Sequence, residues 1–107
     1  MSEIHGHLDA MLLAIIGTGP VHGYGVVQEL KARSGGTFDL PEGSVYPALH
    51  RLERSGLLRS RWQVTDGRRR RVYSLSSDGR RAATGAVDRW RSFRQAVDGI
   101  LGLEASA

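Results

Sequence analysis

Arginine side chains are concentrated in one stretch of this 107-residue chain, and they are the groups best suited to bind an anion. Of the 15 cationic side chains all but Lys31 are arginines, and residues 51–81 contain ten of them: Arg51, Arg54, Arg59, Arg61, Arg68, Arg69, Arg70, Arg71, Arg80 and Arg81. Three acids lower the net charge of this stretch to +7, whereas the rest of the chain, with five cations and eight acids, has −3. A coding bias toward arginine would explain the choice of cation but not the clustering. Because guanidinium groups pair with phosphates and guanine edges, the stretch predicts a nucleic-acid-binding surface.

No group of residues forms a recognisable catalytic or metal-binding motif. The chain has no cysteine, and we find no nucleophile motif, phosphate-binding loop or paired carboxylates. His5 and His7 are close in sequence but have no third ligand nearby, while His22 falls in a turn and His50 on a helix face. We therefore expect no enzymatic activity, no cofactor and no metal site. The chain lacks the ~20 consecutive apolar residues of a membrane span, so we expect a cytoplasmic protein without membrane contact.

Three amphipathic helices are expected before the arginine-rich stretch. The first is predicted by apolar residues at helical spacing, which are Leu8, Met11, Leu12, Ile15 and Ile16, and residues 17–20 end it. The second covers Gly23–Arg33. The third follows Pro41 and ends at Gly56, with Pro47 inside it as the cause of an expected kink or late start. Residues 37–40 alternate in polarity and favour a short strand.

A β-hairpin and a final helix are expected next. Residues 57–64 and 69–75 predict two strands, and Asp66-Gly67 between them is a strong turn signal. Ser76 is a suitable N-cap for the last helix. Three helices, a hairpin and a helix form a winged helix-turn-helix, so we predict a mainly α fold with a small β-hairpin. We assign residues 1–76 to the DNA-binding domain and residues 77–107 to a C-terminal dimerisation helix packed as part of the same domain.

The last helix carries apolar residues at alternating steps of three and four. The positions are Ala83, Ala86, Trp90, Phe93, Val97 and Ile100. This spacing is the a/d pattern of a coiled coil and predicts a homodimer interface, which the first helix is expected to join. The alternative is an amphipathic helix that folds back on its own domain.

Three blocks of the sequence resemble the PadR family of transcriptional regulators. They are HGYG at residues 22–25, GSVYPALHRLERSGLL at residues 43–58 and GRRRRVYSLS at residues 67–76, with Gly79 following. The resemblance covers residues 8–101, and a single C-terminal helix is similar to the short PadR subfamily. It implies a homodimeric regulator, usually a repressor, that releases DNA when a small aromatic or amphipathic ligand binds. The chain departs from the family pattern at Pro41-Glu42, at Val45 and in its uninterrupted run of four arginines.

The exposed side of the third helix and the hairpin form the predicted DNA-binding surface. The helix is expected to enter the major groove while hairpin arginines reach phosphates or the minor groove. The predicted contacts are Tyr24, Ser44, Tyr46, Pro47, His50, Arg51, Arg54, Gly67, Arg68 and Arg70. Because alternate strand residues point opposite ways, we expect Arg69 and Arg71 to turn toward the domain.

The resemblance also implies an effector site at Trp90 and Phe93, since some short PadR regulators place a tryptophan at the dimer centre. A flat ligand would stack on the indole ring there. The alternative is that Trp90 only fills the dimer core.

We therefore predict a sequence-specific regulator that binds double-stranded DNA as a homodimer. We expect a repressor that recognises an inverted-repeat operator and is released by a small aromatic effector. The alternative function is a winged-helix adaptor whose basic face binds an acidic protein.

Overall fold

The chain folds into four helices and one three-stranded sheet, in a computed structural model that describes residues 3–103, with side chains from residue 6 onward. The elements are α1 (Glu3–Ile16), β1 (Val21–His22), α2 (Gly23–Arg33), α3 (Glu42–Arg54), β2 (Leu58–Thr65), β3 (Arg68–Leu75) and α4 (Ser77–Leu101). The strands are antiparallel in the order β1-β3-β2. This is a winged helix-turn-helix, mainly α with a small β-hairpin, which confirms the predicted fold class. The outer ends of the two predicted domains, and the His5 side chain, lie outside the described residues.

The hydrophobic core lies between α1, α2, α3 and the inner face of the sheet. Its largest fully buried side chains are Leu12, Ile16, Val26, Val45 and Leu49. Burying a side chain of this size stabilises the fold by about 1.5–3 kcal/mol. Because the helical stripes point inward together, the opposite side of α3 is left facing solvent.

Side-chain caps fix the starts of two helices. The Ser76 hydroxyl accepts a hydrogen bond from the Gly79 N–H at 3.0 Å and donates to the Gly56 carbonyl at 2.6 Å, so it caps α4 as predicted. The ring Nδ1 of His22 accepts from the Gly25 N–H at 3.0 Å and caps α2. A serine cap of this kind is worth ~1 kcal/mol.

Two local expectations were wrong. Residues 37–40 form no strand; the Phe38 N–H donates to the Ser34 hydroxyl at 2.8 Å instead, so this backbone is tied to the end of α2. The third strand of the sheet is instead β1, on the other side of β3 from β2, and it pairs Val21 with Tyr73 and His22 with Val72. Two residues are too few to show an alternating pattern, so only the tertiary contact reveals this strand. The third helix follows Pro41 as predicted and runs from Glu42 through Pro47 to Arg54, so the late start that was one of the two expected effects of Pro47 does not occur.

The two halves of α4 have different surroundings. Ala83 packs against the core, and Ala86 is buried within the protomer. The later half is more exposed, and its side chains Trp90, Phe93 and Ile100 face solvent. The radius of gyration is 15.3 Å, compared with about 13 Å for a compact domain of this size. The protomer is therefore elongated, with extents of 53 × 29 × 29 Å along its principal axes.

Within the described residues, no helix combines the length and the apolar character needed to cross a membrane.

Gly79 allows the start of α4 to lie directly against the backbone of Leu57. A Cβ atom at Gly79 would collide with the Leu57 carbonyl oxygen, which already accepts a hydrogen bond from the Ser76 N–H. We expect Gly79→Ala to lower the free energy of unfolding by roughly 1–3 kcal/mol, because the backbone must shift to relieve this overlap. Urea denaturation measures this change.

Gly99→Ala is the matched control in the same helix, since nothing lies within 4 Å of a Cβ atom there. Alanine is the better helix former, so this variant should be more stable by roughly 0.5–1 kcal/mol. Equal effects of the two substitutions would contradict the proposed close packing at Gly79.

Candidate nucleic-acid interface

The solvent-facing side of α3 presents polar and small side chains in a row. Val45, Ala48, Leu49 and Leu52 occupy the buried stripe. On the other side the exposed residues include the predicted contacts Ser44, Pro47, His50 and Arg54. Pro47 has no backbone N–H to donate, and its position on the exposed side keeps its ring out of the core. This side of α3 is therefore open to a partner along the whole helix.

The β2–β3 hairpin, which forms the wing, has two chemically different faces. Directly opposed residues share a face, so the pairs Ser60–Tyr73, Trp62–Arg71 and Val64–Arg69 lie on the core side. The pairs Gln63–Arg70 and Thr65–Arg68 lie on the outer side. The turn needs left-handed backbone at Asp66 and Gly67, which Asp-Gly readily adopts. The run of four arginines is thereby divided, with Arg68 and Arg70 together on the outer face.

An ion-pair network fastens the wing to α3. Arg71 Nε donates to the Ser60 hydroxyl at 2.8 Å, and Arg71 Nη2 lies 3.4 Å from Glu53 Oε2. The Ser60 hydroxyl donates to the same Glu53 oxygen at 2.5 Å. Arg71 is turned toward an acid of its own domain, as the strand alternation predicts.

Arg69 is held by the exposed indole of Trp62. The Arg69 guanidinium carbon lies 4.5 Å from the ring centroid of Trp62, and that of Arg71 lies 5.5 Å from it. A cation over an exposed indole is stabilised by about 0.5–1 kcal/mol. This stack was not predicted from the sequence, although a tryptophan that faces arginines across a predicted hairpin was the available signal.

An open cavity of about 590 Å³ lies between the wing and the starts of α2 and α3. Its lining residues are Tyr24, Glu42, Arg68, Arg69 and Arg70. Arg70 also approaches the first turn of α2, where its Nη1 lies 3.3 Å from His22 Nε2. The cavity therefore brings Tyr24, from the first turn of α2, together with three arginines of the wing, and these cations can bind phosphate oxygens.

Tyr46 contributes a hydroxyl group close to this cavity. Burial raises the pKa of its phenol above the ordinary value, Glu42 and Tyr24 raise it further, and Arg70 acts in the opposite direction. The phenol is therefore protonated at neutral pH and can donate a hydrogen bond to a phosphate oxygen.

Arg51 differs from the other predicted contacts because α1 already binds it. Its Nη2 and Nη1 donate to Asp9 Oδ1 at 2.8 and 3.3 Å. The two side chains are only partly exposed, so this pair links α1 to α3 more firmly than a fully solvated one. Asp9 interrupts the apolar stretch of α1, which was the available signal for this contact. The contact of Arg51 with DNA stays a prediction.

Three aromatic rings form a cluster where α1 crosses α4. The His7 ring lies 5.3 Å from that of Trp90 and 5.9 Å from that of Phe93, and the Trp90 and Phe93 rings are 5.9 Å apart. Trp90 is 48% exposed and Phe93 is 44% exposed. The first two heptad positions, Ala83 and Ala86, instead lie against their own protomer, as the fold-back alternative expects for this half of α4.

Among residues 6–103, no three histidines or acids come together in a way that could hold a metal ion.

Comparison with known proteins identifies relatives over most of the chain. Residues 12–85 match the model of the transcriptional regulator PadR-like family. The Mycobacterium tuberculosis transcriptional regulator Rv3488 is 50% identical over 64 residues, which are 60% of this chain and 57% of that protein.

Two solved structures illustrate the similarity of the fold. A PadR family transcription regulator from Clostridium difficile has 26% identity and a TM-score of 0.80, with 89% of this chain and 98% of that chain covered. Bacillus subtilis PadR, crystallised in complex with operator DNA, has 20% identity and a TM-score of 0.69, with 75% of this chain and 46% of that chain covered. At this lower identity the similarity extends to the fold alone.

Proposed function

Because the chain belongs to the PadR family, whose members are non-enzymatic DNA-binding transcriptional regulators, we propose that it represses transcription by binding an inverted-repeat DNA operator as a homodimer. The observation that carries the proposal is the cavity in which the wing arginines face the first turns of α2 and α3. Bacillus subtilis PadR, which shares this fold, was crystallised in complex with operator DNA, and this supports DNA as the partner. Such a regulator would act in the cytoplasm.

In the proposed complex, α3 lies in the major groove, and the wing lies beside it on the sugar-phosphate backbone of the DNA. Ser44, Pro47, His50 and Arg54 would meet base edges or the groove walls. Tyr24, Tyr46, Gly67, Arg68 and Arg70 would contact phosphates and sugars. The ion pair between Arg51 and Asp9 would help to hold α3 at its angle to α1, in addition to any contact that Arg51 makes with DNA.

An adaptor that binds an acidic protein is the alternative function. It shares the basic surface but does not require the exposed face of α3 to fit a groove. Titration with random duplex DNA separates the two functions, because an adaptor would bind the duplex weakly or not at all.

The DNA proposal is tested by removing the two outer arginines of the wing. Arg68→Ala with Arg70→Ala should weaken binding to every duplex to a similar extent, because phosphate contacts carry no sequence information. The plot of log affinity against log salt should become shallower by roughly one unit for each lost phosphate contact. Fluorescence anisotropy with a labelled duplex measures both quantities.

Arg89→Ala with Arg91→Ala is the matched control, since these two exposed arginines lie on α4 and outside the cavity. The control should retain nearly the wild-type slope. Equal salt-dependence slopes for the two double variants would show that the wing arginines do not contact the DNA phosphates.

For the dimer, we propose that the second half of α4 pairs with the same segment of a second copy. Val87, Trp90, Phe93 and Ile100 are large apolar side chains exposed on this helix, and a monomer in water would leave them hydrated. Burying them against a symmetric partner removes this apolar surface from solvent. We further propose that residues 77–107, of which α4 is the described part, are the dimerisation segment attached to the domain of residues 1–76.

Charged substitutions in the proposed seam should separate the protomers. Phe93→Asp with Val97→Asp places two carboxylates in the proposed apolar seam, which is costly when they are buried. Sedimentation should show monomers. Arg94→Asp changes the net charge of the chain by the same amount at an exposed position outside the heptad pattern, and it should leave the dimer intact. A dimer of unchanged mass in the double variant would place the interface elsewhere.

An effector site at Trp90 and Phe93 is the last part of the proposed function. A flat aromatic ligand would stack on these half-exposed rings between protomers and displace His7 from them. His7 is one half-turn from Asp9 on α1, and Asp9 binds Arg51 on α3. A ligand that moves α1 would therefore change the position of α3 and the affinity for DNA.

Three variants separate ligand binding from its effect on DNA, with Trp62→Phe as the background so that Trp90 is the only indole. Planar aromatic cations and phenolic acids should quench Trp90 emission saturably and weaken DNA binding. Trp90→Ala should abolish the effect on DNA. Asp9→Asn should preserve quenching but reduce the effect on DNA, whereas Glu29→Gln, which alters an exposed ion pair with Arg33, should preserve both. Emission unchanged by every ligand would make Trp90 a packing residue.

A further inference from the structure

Glu42 is an acidic side chain in a cavity that is otherwise lined by three arginines and a tyrosine. It is the first residue of α3 and is exposed. A carboxylate in this place repels the phosphates that the neighbouring arginines would bind. Because this repulsion lowers the affinity for DNA of any sequence, we expect Glu42 to contribute to the recognition of a particular sequence.

The carboxylate of Glu42 is available to a ligand. Among residues 6–103, no cation lies within the 4.0 Å of an ion pair with it, although Arg68, Arg69 and Arg70 line the same cavity. Glu53, the other acid of α3, is occupied by Ser60 and Arg71. The two acids therefore differ: Glu53 binds the wing, whereas the carboxylate oxygens of Glu42 can accept a hydrogen bond from a bound partner.

The major groove of DNA offers few such donors. They are the amino groups of cytosine and adenine, because the other exposed base atoms are acceptors or methyl groups. Adenine presents the acceptor N7 beside its amino group, and N7 would repel the second carboxylate oxygen. Cytosine presents its amino group alone. The N-terminal residues of a recognition helix are those that contact base edges, and Glu42 begins α3.

We propose that Glu42 accepts a hydrogen bond from the N4 amino group of a cytosine in each operator half-site and thereby determines the base at that position. The proposal rests on the DNA-binding function proposed above and adds a residue that reads sequence. It also assigns a role to the Pro41-Glu42 departure from the family pattern.

A purely structural role for Glu42 has a different consequence. Pro41, the N-cap of α3, provides no side-chain hydrogen bond, and Glu42 is the acid in the first turn. An acid there stabilises a helix through its dipole. Such a role affects stability and binding to all sequences, but it cannot create a preference for one base.

The test compares base preferences of the wild type with those of Glu42→Gln and Glu42→Ala. The operator is first selected from random duplexes, and each half-site position is then replaced by all four bases. The wild type should lose roughly tenfold or more in affinity when one particular cytosine is replaced. Glu42→Ala should bind all four bases alike at that position and should bind random duplexes more tightly. Glu42→Gln should shift the preference from cytosine to adenine, whose N6 and N7 pair with an amide.

Asp78→Asn is the matched control, because Asp78 is an exposed acid in the first turn of α4 and lies outside the cavity. This control should keep the wild-type base preferences, and thermal unfolding should show that all variants are folded. Base preferences that are the same in the wild type and both Glu42 variants would overturn the proposal while leaving the DNA-binding function in place. A wild type that binds no duplex would overturn the function itself, and the proposal with it.

Discussion

The orientation of α3 is the constraint on which the rest of the structure depends. Val45 and Leu49 are fully buried, so the helix cannot rotate about its axis without exposing them. That rotation sets which side chains of α3 face solvent. Glu53, near the end of the same helix, binds Arg71 and Ser60 and thereby sets the position of the wing. One buried helix therefore aligns both parts of the proposed DNA-binding surface.

Most of the fold could be predicted from helical periodicity and turn chemistry. The buried stripes of α1 and α3 and the Asp66-Gly67 turn could all be identified from the sequence, because each is a local pattern with a known geometry. The short strand β1 could not be found in this way, since its pairing depends on where β3 lies. The strand expected at residues 37–40 did not form, because Ser34 binds that backbone.

The candidate site was less predictable because its side chains can bind either DNA or other elements of the same chain. A helical wheel puts Arg51 opposite the buried stripe, but the wheel does not include Asp9 on α1, which binds it. The heptad pattern of α4 was continuous in sequence, yet Ala86 lies against its own protomer while Trp90 is half exposed. For Arg51 the deciding contact comes from α1, a distant part of the chain.

Cleavage of DNA from a single attached probe tests most directly the claim that α3 lies in the major groove. The chain contains no cysteine, so Gly43→Cys creates a unique thiol in the first turn of α3, where nothing lies within 4 Å of a Cβ atom. Gly99→Cys on α4 has equally open surroundings and is the control. With iron–EDTA attached, the Gly43 conjugate should cut the operator at two places about 34–36 Å apart along the duplex, one for each half-site. Cuts no stronger than those of free iron–EDTA, or the same cuts from the Gly99 conjugate, would contradict the account.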